Sequence, residues 1–355
     1  MSEPLPRAQA RLAPWLQSQL RELLRRQGHA VLLSGPSGLG QYDLALALAR
    51  AWLCHAPTPE GACGQCSSCH TIDVRTHPDL CVLLPETLSL ELGWPLDEKV
   101  QDDLDSKKRK PSKEIKVEAA REAIGFTQFT RSGGSTKVVL VYPAERMNGI
   151  TANTLLKTLE EPVGEVRFVL ATQAADQLLA TIRSRCQSHS MGWPAFDEAL
   201  SWLVEQVSDS RGKPAEREDL RVLLAAAGGR PSDVLELLQD DDAKQAASRW
   251  RALPKAVARG DLSALAQWNP PQVVQALQKL CHDVWAQRVG AEPRYFAAQD
   301  LPAGKAKEPS HRALYALGQW SRDLSASARN AEHPYNAGLM LEALVSRAQL
   351  ALNAA

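Results

Sequence analysis

An α/β domain with a parallel sheet, followed by an all-helical remainder, is the fold this sequence predicts, and three observations predict it. Short apolar runs at 30–33, 79–84, 138–141 and 166–171 are separated by stretches of helical periodicity. Buried strands alternating with helices make a parallel sheet covered on both faces. The first run leads into Gly35 and Gly40, which stand at the spacing of a phosphate-binding loop between strand and helix. Beyond Trp193 no strand-like run returns, and apolar residues recur only at the spacing of helices.

Residues 29–54 read HAVLLSGPSGLGQYDLALALARAWLC. A working phosphate loop, G-x-x-x-x-G-K-[ST], wraps phosphates in backbone N–H groups, neutralises them with Lys and binds magnesium through a hydroxyl. Here the glycine spacing is kept, but the Lys position is the uncharged Gln41 and the hydroxyl position is Tyr42, a poor magnesium ligand in a tight loop. Nucleotide is expected to bind weakly or not at all. Taken in isolation, the stretch also fits an ordinary glycine turn. The Ala- and Leu-rich residues 43–53 suit the helix that follows.

That helix runs into CHAPTPEGACGQCSSCH, with Cys54, Cys63, Cys66 and Cys69 separated by eight, two and two residues. Four thiolates in one short Gly/Pro/Ser-rich segment can close a tetrahedral zinc site of the structural kind, with no open position. The competing reading, a redox pair, usually offers a single C-x-x-C opening a helix. His55, His70 and His77 are neighbours with no vacancy to fill. Cys81, Cys186 and Cys281 lie apart and read as buried apolar thiols.

The run DLCVLL is the second strand, and the polar stretch after it, about 85–113, reads as an insertion or loop. Its basic residues Lys107, Lys108, Arg109, Lys110 and Lys113 read as solvated charges, with a phosphate backbone as the alternative partner. Val117, Ala120 and Ile124 mark a helix, and 138–141 is the third strand. In active phosphate-loop ATPases such a strand ends in an Asp that holds magnesium, often followed by a Glu that polarises water. Here it ends in Tyr142 and Pro143. Cation, metal ligands and base are all missing, so the site has no means of stabilising a phosphoryl transition state. Ala152, Leu155, Leu156 and Leu159 mark the next helix, stopped at Pro162 and followed by the fourth strand.

Composition bounds the rest. A length of 355 residues fits two or three domains, and 44% hydrophobic with 23% charged residues is an ordinary globular composition. Lys plus Arg equal Asp plus Glu at 41 each, so no overall basic excess draws the chain onto nucleic acid. The N-terminus lacks the apolar core of a signal peptide and no run is long enough for a membrane span, so a cytoplasmic location is expected. Seven cysteines, four of them clustered, do not make a secreted disulfide framework.

The phrase ANTLLKTLEEP at 152–162, the strand after it, the triplet Ser184-Arg185-Cys186, the opening HA-x-LL-x-GP-x-G-x-G and the cysteines inserted after the first helix together resemble the clamp-loader family of the AAA+ ATPases. The resemblance is strong over 29–188 and weakens beyond. It implies a AAA+ domain with a zinc module (1–192, module 54–69), a helical lid (193–242) and an all-helical collar (243–355). Gly35, Gly40, Gln41 and Tyr42 match the family's phosphate loop, and Tyr142 and Pro143 its acidic pair, with the chemical groups replaced. Cys54, Cys63, Cys66 and Cys69 match its zinc ligands, all present. Arg185 matches an arginine finger that reaches a neighbouring subunit's ATP site, against the plainer reading of a surface ion pair. Thr172 or Gln173 falls at a sensor position. Arg230 stands where lids carry a second phosphate sensor, although a capping or surface role suits it better.

The implied function is that of a non-catalytic subunit of the bacterial DNA polymerase III clamp loader, binding zinc but no ATP. Its implied partners are the ATPase subunits and delta in a hetero-pentameric ring, with sliding clamp and primed DNA met through the assembly. Beyond 193, Ala199, Leu203 and Val207 share a face, two helices meet at Gly228 and Gly229, and apolar stripes run through Val274, Leu277, Cys281 and Trp285 and through Leu341, Leu344, Val345 and Ala348. Two other readings stay open. A self-sufficient AAA+ ATPase with an atypical loop would bind ATP saturably, and a zinc-dependent DNA-binding protein would bind DNA tightly and salt-sensitively, which the zero net charge opposes.

Overall fold

A computed structural model describes residues 12–129, 136–208, 212, 214–238, 242–265, 268–302, 311–331 and 336–354. The chain divides into two compact units, Met1–Trp193 and Pro194–Ala355. The first runs α1 (Pro14–Leu24), β1 (Ala30–Ser34), α2 (Gln41–Leu53), α3 (Ser67–Asp73), β2 (Leu80–Leu83), α4 (Glu86–Leu92), α5 (Glu98–Asp105), α6 (Val117–Gln128), β3 (Lys137–Val141), α7 (Gly149–Glu160), β4 (Val166–Thr172), α8 (Ala180–Arg183) and β5 (Gln187–Ser190).

The five strands form one sheet in the order β2-β3-β4-β1-β5, and every pairing is parallel. Successive strands needing a crossover are what place helices on both faces. On one face Ala30, Leu32, Val139, Val141, Phe168 and Leu170 pack with Ala120, Ala123, Leu155 and Leu159 of α6 and α7. On the other, α2 lies across β3 and β4, with Leu44, Ala45, Leu48 and Ala49 fully buried. Both faces are therefore apolar, which is why the inner strands read as unbroken hydrophobic runs.

Two elements were not legible. β5 reads QSHS, an edge strand with only His189 buried, and lacks the apolar run that marked the others. α1 begins at a proline and buries Trp15, Leu16, Leu20 and Leu23. The 85–113 stretch, read as insertion or loop, contains two short helices, α4 and α5.

The second unit is helical: α9 (Phe196–Gln206), α10 (Arg217–Ala226), α11 (Pro231–Leu237), α12 (Ala243–Arg259), α13 (Pro270–Arg288), α14 (His311–Asn330) and α15 (Ala337–Leu352). Gly228 and Gly229 both take the positive φ that ends α10 and lets Pro231 open α11. Val274, Leu277, Cys281, Leu344, Val345 and Ala348 lie in one core, with Trp285 and Leu341 at its margin. Val207 lies one residue beyond α9, where Ala199 and Leu203 are buried. Among the described residues no helix is long and apolar enough to cross a membrane.

Candidate functional site

The glycine loop follows β1 and ends at the start of α2. Gly40 is its pivot. It holds φ +84°, and a Cβ there would lie 2.7 Å from Leu16 Cδ1 of α1, so this position requires glycine on both counts. Gln41 is turned back into the loop, where its Nε2 donates to the carbonyls of Gly35 at 2.8 Å and Pro36 at 2.5 Å, and only 2% of it is exposed. The side chain at the Lys position is therefore spent on the loop's own backbone.

The next position, Tyr42, is buried, and its hydroxyl accepts a 2.6 Å hydrogen bond from Trp94 Nε1. Tyr142, at the end of β3, brings its ring centroid to 5.6 Å from that of Tyr42. The two positions that supply magnesium ligands in phosphate-loop ATPases thus converge in space, and each presents an aromatic ring. Burial pushes the Tyr142 phenol up to about 12, so it stays neutral and is no substitute for a carboxylate. Its hydroxyl accepts from Gln173 Nε2 at 2.9 Å. Thr172 Oγ1 donates to Glu145 Oε2 at 2.7 Å, and the Gln173 N–H donates to Glu145 Oε1 at 3.1 Å. The C-terminal ends of β3 and β4 are thus cross-bonded by protein groups. Trp94 and Glu145 were not singled out by sequence. Trp94 lies in the polar insertion, far along the chain from Tyr42, and no local pattern links them.

The four cysteines are brought together as predicted. Their sulfur atoms all lie within 4.8 Å of one another, and the Cys54–Cys66 and Cys54–Cys69 pairs are each 3.8 Å apart. A tetrahedron of Zn–S bonds of about 2.3 Å has edges of about 3.8 Å, so the cluster has the size such an ion requires. Backbone N–H groups turn inward as well: Cys63 donates to Cys54 Sγ at 3.2 Å and Cys69 to Cys66 Sγ at 3.5 Å. Burial pushes the Cys66 thiol up, but hydrogen bonds from the Cys69 and His55 backbone and from neighbouring thiols outweigh it and bring it down to about 6. Cys69, fully buried, is pushed up to about 12 by burial first. The module is tied to the core by Arg50 of α2, whose Nη2 meets Asp73 Oδ2 of α3 at 2.8 Å. His77 contacts Ser68 Oγ at 2.9 Å, and Ser68 in turn donates to Leu53 O. His55 and His70 are exposed. None of the three histidines joins the cluster. A group of four cysteines with this geometry can hold a metal ion.

Arg185 follows α8 and is partly buried. Its Nε donates to Glu160 Oε1 at 2.5 Å, Nη2 reaches the same oxygen, and Nη1 donates to Thr181 O at 2.9 Å. Glu160 is the last residue of α7. It belongs to the phrase that carried the family resemblance, so its position was in view although its pairing was not.

Within the basic stretch, Arg109 and Lys108 meet acids of this chain. Glu86 accepts from Arg109 Nη1 and Nη2, from Lys116 Nζ and from the Ser112 N–H, and Lys108 lies 3.6 Å from Asp103. Arg230 occupies the N-cap position of α11 but its side chain makes no N-cap hydrogen bond; it pairs with Asp233 at 2.8 Å, and its Nε donates to the carbonyl of Ala227 at the end of α10. Cys186 and Cys281 are buried, and Cys81 is partly so.

Residues 8–192 match the family described as "DNA polymerase III, delta subunit". The chain is 38% identical over 224 residues to the DNA polymerase III subunit delta' of Pseudomonas aeruginosa, covering 62% of this chain and 60% of that relative's length. It is 33% identical over 288 residues to the subunit delta' of Escherichia coli, covering 78% of this chain and 77% of the relative. It is also 30% identical over 215 residues to the subunit tau of Escherichia coli, covering 60% of this chain and 29% of that protein.

Proposed function

This chain belongs to the DNA polymerase III delta-prime family of clamp-loader subunits, and on that premise we propose that it is the subunit that organises the loader without hydrolysing ATP itself. The observation that carries this reading is the meeting of Tyr42 with Tyr142. Magnesium-dependent phosphoryl transfer needs a cation, a metal and an oriented nucleophile at one point. At that point the chain supplies a Gln amide bonded to its own loop, two phenol rings, and Pro143 where an acid would polarise water. The isolated chain neither binds nor hydrolyses ATP.

Its contribution to hydrolysis is made in trans. Arg185 is the arginine finger, brought to a neighbouring subunit's ATP when the ring assembles, where its planar fork stabilises charge on the transferring phosphoryl group. Similarity to both the delta' and the tau subunit of one organism supports a ring of related subunits. The partners are ATPase subunits and delta in a hetero-pentamer, which loads the sliding clamp onto primed DNA in the cytoplasm. Residues 1–192 serve as the AAA+ domain, 193–242 as the lid and 243–355 as the collar. Cys54, Cys63, Cys66 and Cys69 hold one structural zinc ion, which closes the excursion between α2 and β2 and leaves no position for substrate.

Two measurements test the reading together. Calorimetric titration of the isolated chain with Mg-ATP is expected to give no heat of binding, and adding the chain to the other subunits is expected to restore clamp-stimulated hydrolysis. Micromolar affinity for ATP in the isolated chain would favour the self-sufficient ATPase instead.

A further inference from the structure

We infer that Glu160 is a positioning residue for Arg185, holding its guanidinium ready for the neighbouring site; this rests on the reading of Arg185 as the finger. The guanidinium has five N–H donors. Glu160 Oε1 takes the Nε edge together with Nη2, and Thr181 O takes Nη1. This grips one edge of the plane, and with Nη1 also donating to Ser184 Oγ at 3.4 Å the N–H left without a protein acceptor among the described residues is one on Nη2.

The placement of Glu160 is not explained by its own helix. A carboxylate in the last turn faces the negative end of the macrodipole, and as the final residue of α7 Glu160 sits there. Nor does the pair bury either group, since the two side chains are 29% and 46% exposed, and exposed pairs contribute little to stability. Its backbone is nevertheless well fixed. Leu155 and Leu159 anchor α7 in the core, and the Leu159 carbonyl bonds to His29 Nε2 at 2.8 Å beside β1. A long, flexible arginine held beforehand by a rigid helix end loses less rotamer freedom on docking. The same contact keeps the guanidinium plane in one orientation, which in-line recognition of a phosphoryl group demands.

The test is a double-mutant cycle in the reconstituted loader with primed DNA and clamp, measuring ATP hydrolysis for Glu160→Ala, Glu160→Gln, Arg185→Ala and the Glu160→Ala/Arg185→Ala pair. Glu160→Ala is expected to lower kcat about tenfold at the bordering site with KM unchanged, as misorientation of a group acting in the transition state does. Glu160→Gln keeps an acceptor oxygen and is expected to retain most of the rate. In the Arg185→Ala background Glu160→Ala is expected to add nothing. A rate for Glu160→Ala equal to or above that of the unaltered protein, with Arg185→Ala still defective, overturns the inference alone, and a faster rate would identify the pair as a restraint. Additive losses in the double variant also overturn it. An unaltered rate for Arg185→Ala overturns the finger reading itself, and this inference with it.

Discussion

Replacing Glu86 by Gln is expected to release the insertion between β2 and α6 while leaving the sheet folded. Glu86 is the acid on which that segment closes. Its carboxylate accepts from Arg109 at 2.5 and 3.0 Å, from Lys116 at 2.7 Å and from the Ser112 N–H at 2.8 Å, and its side chain is 10% exposed. Burial by itself would push the carboxyl up, but the Arg109 and Lys116 cations and the Ser112 N–H outweigh it and bring it down to about 2. The distance from an ordinary carboxylate of about 4.3, at 1.36 kcal/mol per unit, corresponds to about 3 kcal/mol. Arg109 and Lys116 are 28% and 44% exposed, so water screens part of this and about 2 kcal/mol is expected.

The folded value lies below the unfolded one. The stabilisation is therefore complete above the ordinary carboxylate range and is lost as pH falls toward about 2. At neutral pH the assay is tryptic cleavage after Lys107, Lys108, Arg109 and Lys113. Cleavage that follows local opening should speed up about thirtyfold for 2 kcal/mol in Glu86→Gln. In the unaltered chain, the protection of 98–113 against hydrogen exchange, taken relative to the intrinsic rate at each pH, should fall on going from pH 5 to pH 3. Equal cleavage rates in the two proteins would show that the insertion is held by something other than this carboxylate.

Other outcomes are expected. Protein prepared without chelator should carry one zinc ion per chain, and Cys66→Ser should loosen the module without broad loss of helical signal; metal analysis and circular dichroism decide both. Gln41→Ala removes two hydrogen bonds from a site that is 2% exposed and should cost about 1–3 kcal/mol in urea unfolding, whereas a change under about 0.5 kcal/mol would mean that the loop holds itself. Gln41→Lys should not confer ATP hydrolysis, since Tyr42, Tyr142 and Pro143 still provide neither metal ligand nor base, and calorimetry with a phosphate-release assay checks it. Arg185→Ala should leave folding, zinc content and assembly intact but slow the bordering ATP site by roughly 10³–10⁵. The loss in the whole ring is then partial unless its sites fire in order, and Arg185→Lys should fail nearly as badly because an ammonium lacks the fork. Unchanged hydrolysis in a fully assembled ring would reduce Arg185 to a surface ion pair.

What the sequence determined by itself was whatever is written over short distances. Three inner strands, β1, β3 and β4, were legible because burial on both faces leaves them apolar, the edge strand β2 because LCVL is an apolar run although only Leu83 is buried, and the cysteine cluster because its four thiols lie close in sequence at a spacing that suits one metal ion. The replaced groups at Gln41, Tyr42, Tyr142 and Pro143 could be read one position at a time. β5 was hidden because QSHS, with one buried residue in four, carries no apolar run, and α1 because its packing against the glycine loop through Leu16 is a contact between separate elements. Only the tertiary structure decided which distant groups meet. Tyr42 reaches Tyr142 across the sheet, Trp94 of the insertion caps Tyr42, and Glu160 takes Arg185 from 25 residues away. Each such contact is set by sheet order and helix crossing, which place side chains through the combined packing of the whole domain, and no local periodicity encodes that.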